Sequence, residues 1–503
     1  MTQDISRKAF LQLGAGLAAT AAAASPGLAQ MVRPRPRSGD RTLIRNVDVL
    51  TMQEDHSELR GMDVLLAGGK IAAIGKSISA GGAEVIDGTG RILMPGMVDI
   101  ARQNWQSLEI GRMVDVSQGT QQYGGGYLQK MGDAMTPEDR YLSDYLSGVM
   151  ALDSGFTTLG CYGRGGSFDH VDQAITGFKD SGVSGIYCHG LASVAGLPAP
   201  GSGAFEVAER LRDKHFTSDG EVRWGLTFSS VWGVPNAEAQ AYFQSLRALN
   251  PELLISFFHV YNAHRAGWTP ETPVLPPLPP GTIRNIEDMQ DQGLLGPDMC
   301  IAHFLEATDE QLKWMAAMGI SFSSTILSEF HYPQGLAPIF GRAQAAGAPA
   351  GISVDVVLSE SPDPFAMIRA AFAVLYKNAA SEKVAWTLRS DDTIGWLTRE
   401  AAKAAKLSDR GTITVGQRAD VVLLNTDRIG FPVIGTLADR VATFALLSDI
   451  DSVWVGGVPR KRHGKVLGVD MAALKAKVGA SSDRIWRAMG SPVFGNGAPP
   501  VSW

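Results

Sequence analysis

From about Val98 to about Gly395 the chain alternates short apolar strand segments with loops and helices, and this alternation restricts the fold more than any other feature. The strand segments are Val98–Ile100, Phe156–Gly160, Ser184–His189, Val222–Phe228, Leu253–His259, Met299–His303, Gly319–Ser323 and Ala350–Asp355. Hydrophobic strands separated by helices pair in parallel and are covered on both faces, which explains why they read as apolar runs. Repeated in this number, such units predict a closed (β/α)8 TIM-like barrel, whose chemistry would sit at the C-terminal ends of its strands.

The flanks read differently. Thr42–Leu50 is a strand, Asp63–Gly75 is a hairpin around Gly68-Gly69, and Glu84–Gly96 adds another strand pair. Strand character returns at Asp420–Leu424 and Ser452–Gly457. The two flanks predict a small discontinuous β-sandwich domain (42–95 and 396–468) with the α/β barrel (96–395) inserted in it and a C-terminal extension (469–503). Thr136-Pro137-Glu138 reads as a helix cap.

Ahead of these, Arg7-Lys8 precedes an apolar, alanine-rich run that ends in Gly27-Leu28-Ala29. This is the layout of an export signal over 1–29, followed by a Pro/Arg-rich linker over 30–41. Ser6-Arg7-Lys8-Ala9-Phe10-Leu11 is similar to a twin-arginine signal with Lys in the second position, so either that route or the general secretory route fits, and a periplasmic or secreted bacterial location is expected. After cleavage no stable membrane span is expected. Among 503 residues the net charge is only -6 and no basic face interleaved with aromatics is present, which excludes a nucleic-acid partner. The 3 cysteines, Cys161, Cys188 and Cys300, are odd in number and lie in apolar contexts, so they read as buried thiols.

Five motifs occur in order: Pro95-Gly96-Met97-Val98-Asp99, Gly155-Phe156-Thr157-Thr158, the stretch from Leu294 to His303, Gly351-Ile352-Ser353-Val354-Asp355, and the stretch from Gly411 to Asp420. Together they resemble the amidohydrolase superfamily, in its cytosine-deaminase-like and chlorohydrolase-like branch, over nearly all of Thr42 to Gly468. The resemblance implies a hydrolase acting on non-peptide C–N or related bonds of a small-molecule substrate. It also implies a divalent metal such as zinc, held by a His-x-His pair on strand 1, a His ending strand 5 and an Asp ending strand 8, with a further His on strand 6 acting on the attacking water. By analogy with relatives a homo-oligomer is expected.

In this chain the His-x-His positions are Ala101 and Gln103. Residues two apart on a strand share a face, so both should point into the lumen, with Arg102 pointing away into a buried ion pair. Alanine offers no donor atom and an amide is a poor substitute for imidazole. The resemblance assigns His259 and Asp355 as the remnant metal ligands and Asp355, His303 and His259 as the catalytic groups, with His264 nearby. Gln103, Trp105, Glu329 and His331 are the expected substrate contacts. Gln121 to Tyr127 reads as a lid or an ordinary surface loop, and Val274 to Gly281 as a rigid loop over the mouth.

Three readings follow. One is an exported enzyme that has lost the standard metal site and uses Asp355, His303 and His259 for metal-free acid–base chemistry, either hydrolysis or a lyase or isomerase reaction on a hydrophobic or aromatic substrate. Another is a rebuilt metal site formed from His259, His264, Asp355 and Gln103. The last is a non-catalytic periplasmic binding protein.

Overall fold

The computed structural model describes residues 41–112, 114, 122–191, 198–199, 201–228, 231–256, 277–330, 338–377 and 387–490. The signal segment, almost all of the linker, His259, His264, His331, Gln121 and the first residues of the Val274–Gly281 loop lie outside the described residues.

Eight parallel strands form the barrel: β6 (Met97–Arg102), β7 (Phe156–Gly163), β8 (Ser184–Gly190), β9 (Val222–Phe228), β10 (Leu253–Ser256), β11 (Met299–Ala302), β12 (Ser321–Ser324) and β13 (Ala350–Ile352). Their order in the sheet follows the chain, as expected when each strand is returned by a helix to lie beside its predecessor. A parallel bridge between Arg102 and Asp355 brings the last strand round to the first, with Asp355 N–H donating to the Ala101 carbonyl at 2.7 Å and Gln103 N–H to the Asp355 carbonyl at 2.8 Å. The ring therefore closes at the residue expected to carry chemistry.

The helix Pro137–Asp153 starts on the expected cap. Thr136 accepts from the Asp139 N–H, the Asp139 carboxylate accepts from the Thr136 N–H, and Pro137 occupies the first turn, where no donor is needed. The turn into β6 needs glycine at Gly96, because a Cβ there would lie 2.2 Å from the Thr157 hydroxyl.

The flanking strands β1 (Thr42–Leu50), β2 (Glu58–Ala67), β3 (Lys70–Gly75), β4 (Glu84–Asp87), β5 (Arg91–Pro95), β14 (Val421–Asn425), β15 (Ile450–Val455), β16 (Val458–Arg462) and β17 (Lys465–Val466) form one separate sheet. The two flanks meet where β14 pairs antiparallel with β5. Alternation along β14 shows the two-sided packing: Val421 and Leu423 join the core of this domain, while Val422 and Leu424 join the core that surrounds the barrel.

The helix Arg399–Ala404 closes the N-terminal end of the barrel. Ala401, Ala402, Ala404, Ala405 and Leu407 pack with the lumen residues Val98, Ile100, Ile186, Cys188, Ile255 and Cys300. All 3 cysteines are buried and free. The C-terminal helix Met471–Ala488 lies against the opposite end, with Arg112 over the Trp486 ring at 4.5 Å. Among the described residues no helix is long and apolar enough to cross a membrane.

Candidate active site

Four of the residues singled out in the sequence converge at the C-terminal end of the barrel strands. His303 follows β11, Asp355 follows β13, Gln103 follows β6, and Glu329 ends the short helix Ile326–Glu329 after β12. His303 and Asp355 both have left-handed backbones, with φ of 58° and 62°. Non-glycine residues avoid that region, and such strain persists where the surrounding structure holds it in place, often at functional sites.

The His303 ring is gripped from both sides. Its Nε2 lies 3.3 Å from Asp355 Oδ2, and its Nδ1 lies 3.0 Å from the Thr325 hydroxyl and 3.4 Å from Glu329 Oε1. Burial alone would strip the imidazole of its proton. The carboxylates of Asp355 and Glu329 outweigh that and raise the His303 pKa to about 9. The ring is therefore an imidazolium near neutral pH, with both N–H groups aimed at acceptors.

Asp355 is fully engaged. Its Oδ1 accepts from Gln103 Nε2 at 2.9 Å, and its Oδ2 accepts from the Ser328 hydroxyl at 2.6 Å besides facing His303. The Gln103 carbonyl in turn accepts from Gln106 Nε2 at 2.7 Å. Glu329 is held by the Thr325 N–H at 3.0 Å. A further carboxyl, Glu360, stands on the loop after β13, and burial together with the Asp355 charge pushes its pKa up to about 7. Tyr123, on the turn of helix Gln122–Leu128, feels both Asp355 and Glu360.

This donor set does not fit a tight divalent-metal site among the described residues. Ala101 contributes only a methyl group. Gln103 spends its amide N–H on Asp355 instead of offering an oxygen to a cation. The Asp355 oxygens already accept three hydrogen-bond donors, one of them cationic.

The other expected contacts lie elsewhere. Trp105 is buried in the 3-10 turn Asn104–Glu109, among Tyr123, Tyr127, Val356 and Leu358, with the Arg164 guanidinium over its ring at 4.8 Å. Arg102 points away from the lumen. It pairs with Asp99 at 3.2 Å and donates to Ser147 at 2.9 Å on the neighbouring helix. Both members of that pair are fully buried, and burial lifts Asp99 to about 6 despite Arg102. Ser328, Thr325 and Glu360 belong to the site without having been singled out. Ser328 had one visible signal, its place next to the candidate Glu329, and Glu360 had its place on the segment that follows Asp355.

A family model described as "Amidohydrolase family" matches residues 130–460. A 5'-deoxyadenosine deaminase from Methanosarcina barkeri is 22% identical over 432 residues, covering 85% of this chain and 94% of that protein. The crystal structure of an adenosine deaminase from Xanthomonas campestris with bound zinc superposes with a TM-score of 0.75 at 19% identity, covering 90% of this chain and 100% of that one. The zinc complex of the atrazine chlorohydrolase from Arthrobacter aurescens gives 0.74 at 20% identity, covering 88% and 100%.

Proposed function

This chain belongs to the amidohydrolase family, and from that premise we propose that it is an exported hydrolase of a non-peptide C–N bond whose barrel mouth moves protons without a tightly held metal. The observation that carries the reading is the Asp355–His303 pair, 3.3 Å apart, buried, and set in left-handed backbone at the chemical end of the barrel. In this reading His303 delivers a proton from Nε2 to a leaving nitrogen. Asp355 takes one from the attacking water after Gln103 or Ser328 gives up its hydrogen bond to substrate. Glu329 and Thr325 hold the ring from the Nδ1 side. The family pattern assigns a third group to His259, which lies outside the described residues.

Two of the named relatives are deaminases, of 5'-deoxyadenosine and of adenosine. A substrate of that class also suits Tyr123, which stands close enough to feel Asp355, and the exposed Phe330 after β12. The signal-like N-terminus supports export and a periplasmic setting.

Quantifying transition metals in the mature protein, purified without supplementation, tests the reading together with a turnover screen of aminopurines, amidines and cyclic ureas. The expected result is far less than one metal per chain and a turnover that Asp355→Asn abolishes. About one zinc, iron or manganese per chain would overturn the metal-free reading in favour of a rebuilt site. A binding role without turnover draws support from one observation, the complete satisfaction of Asp355 by its own neighbours. Retention of ligand binding in a wild type that turns over nothing in the screen would select it.

A further inference from the structure

The loop from Asp427 to Thr436, between β14 and the helix Leu437–Phe444, carries three aliphatic side chains far out into solvent. Ile429 is 108% exposed, Val433 89% and Ile434 80%. Phe444 and Leu446, at the end of that helix, are also exposed. Singly exposed apolar residues need no explanation, but a cluster of this kind does.

The loop is firmly built. Phe431 is buried at its centre between two guanidiniums, Arg428 at 5.9 Å and Arg440 at 5.3 Å from the ring. Arg428 forks onto Asp449, with both bonds at 3.0 Å, and also donates to the Phe444 carbonyl at 2.7 Å. Arg440 donates to the Pro432 carbonyl at 2.7 Å. These bonds tie the residues that precede Ile429 and Val433 to the helix that ends in Phe444, so the exposed side chains belong to one anchored surface. Holding a loop in place in advance lowers the entropy cost of binding through it.

We propose that this surface is the contact between two copies of the chain. The five residues together present on the order of 600 Å2, the top of what a monomer's largest apolar patch reaches and about three quarters of the roughly 800 Å2 each partner gives a stable interface. A patch placed on itself across a twofold axis meets aliphatic with aliphatic. An anionic lipid surface fits less well. Arg428 already faces Asp449, Arg440 is turned onto Pro432, and Asp427 and Asp439 stand exposed beside the patch.

Light scattering behind a sizing column, with sedimentation over the micromolar range, tests the proposal on the full mature chain. The expected result is a dimer that Ile429→Asp with Val433→Asp weakens by about 100-fold, tenfold or more per central contact, with an unchanged far-ultraviolet circular dichroism spectrum. If that double variant fails to fold, Ile434→Cys gives an independent measurement: a bismaleimide should link two chains, because both introduced thiols lie on the shared surface while the native thiols are buried and cannot compete. A monomeric wild type overturns the proposal. So does a dimer untouched by the double substitution or not linked through Cys at 434. A monomer that co-sediments with phosphatidylglycerol vesicles overturns it in favour of lipid.

Discussion

The two ends of the barrel both bury charge but use different side chains to do it. At the N-terminal end Arg410 donates to the Thr158 hydroxyl at 3.1 Å and the Ser184 hydroxyl at 2.9 Å, beside Asp420 at 3.5 Å. At the C-terminal end His303 sits between Asp355 and Glu329. A guanidinium holds its charge at any working pH, whereas an imidazolium can let its proton go. The mouth places both its imidazole and its carboxylate on left-handed residues. The contrast separates a charge cluster that fastens the fold from one that can do chemistry.

The most severe way to break the contrast is to remove the imidazolium. His303→Leu leaves Asp355 and Glu329 buried with no cation between them, and stability should fall by about 3–5 kcal/mol in urea unfolding. A loss under about 1 kcal/mol would mean that the mouth holds no working ion pair.

The pH dependence comes next in size. The folded pKa of His303, about 9, lies above its ordinary 6.5. Its contribution is therefore fully present below about pH 6.5 and is lost as pH rises through about 9, amounting to about 3 kcal/mol. Asp144 and Glu109, both pushed up to about 7 chiefly by burial, act at lower pH, and their contribution has already gone above that value. Unfolding measured at pH 7 and pH 9.5 should show the His303 loss in the wild type, and the loss should vanish in His303→Leu. An equal decline in both proteins would sink the assignment.

How much of this could be read from the chain follows from what each residue depends on. Strand β9 spans Val222–Phe228, the segment read from its apolar run, because a strand covered on both faces writes its burial directly into sequence. Strand β13 stops at Ile352, short of the segment read to Asp355, because Ser353 N–H still bonds Ser324 but Asp355 turns to bond the Ala101 carbonyl on β6. His303 and Asp355 stood out because imidazole and carboxylate are rare at the ends of apolar strands. Ser328 and Thr325 did not, since a hydroxyl becomes a partner only when tertiary structure brings it within reach. Gln103 could be read only as a missing ligand, and its amide bond to Asp355 depends on how the barrel closes.

The finest test makes one substitution at both ends. Ser328→Ala removes a 2.6 Å donor from the Asp355 carboxylate, and Ser321→Ala removes a 2.7 Å donor from the Ala404 carbonyl at the floor. Both hydroxyls are buried and both replacements delete the same atom. A hydrogen bond to a charged acceptor is worth about 1.5–3 kcal/mol and one to a neutral acceptor about 0.5–1.5 kcal/mol, so the mouth variant should lose more. It should also let Asp355 attract the His303 proton more strongly, raising the pH at which stability declines, while the floor variant leaves that midpoint in place. Equal losses with an unmoved midpoint would show that Ser328 does not bond a charged Asp355, and the distinction between the two ends would then rest on His303 alone.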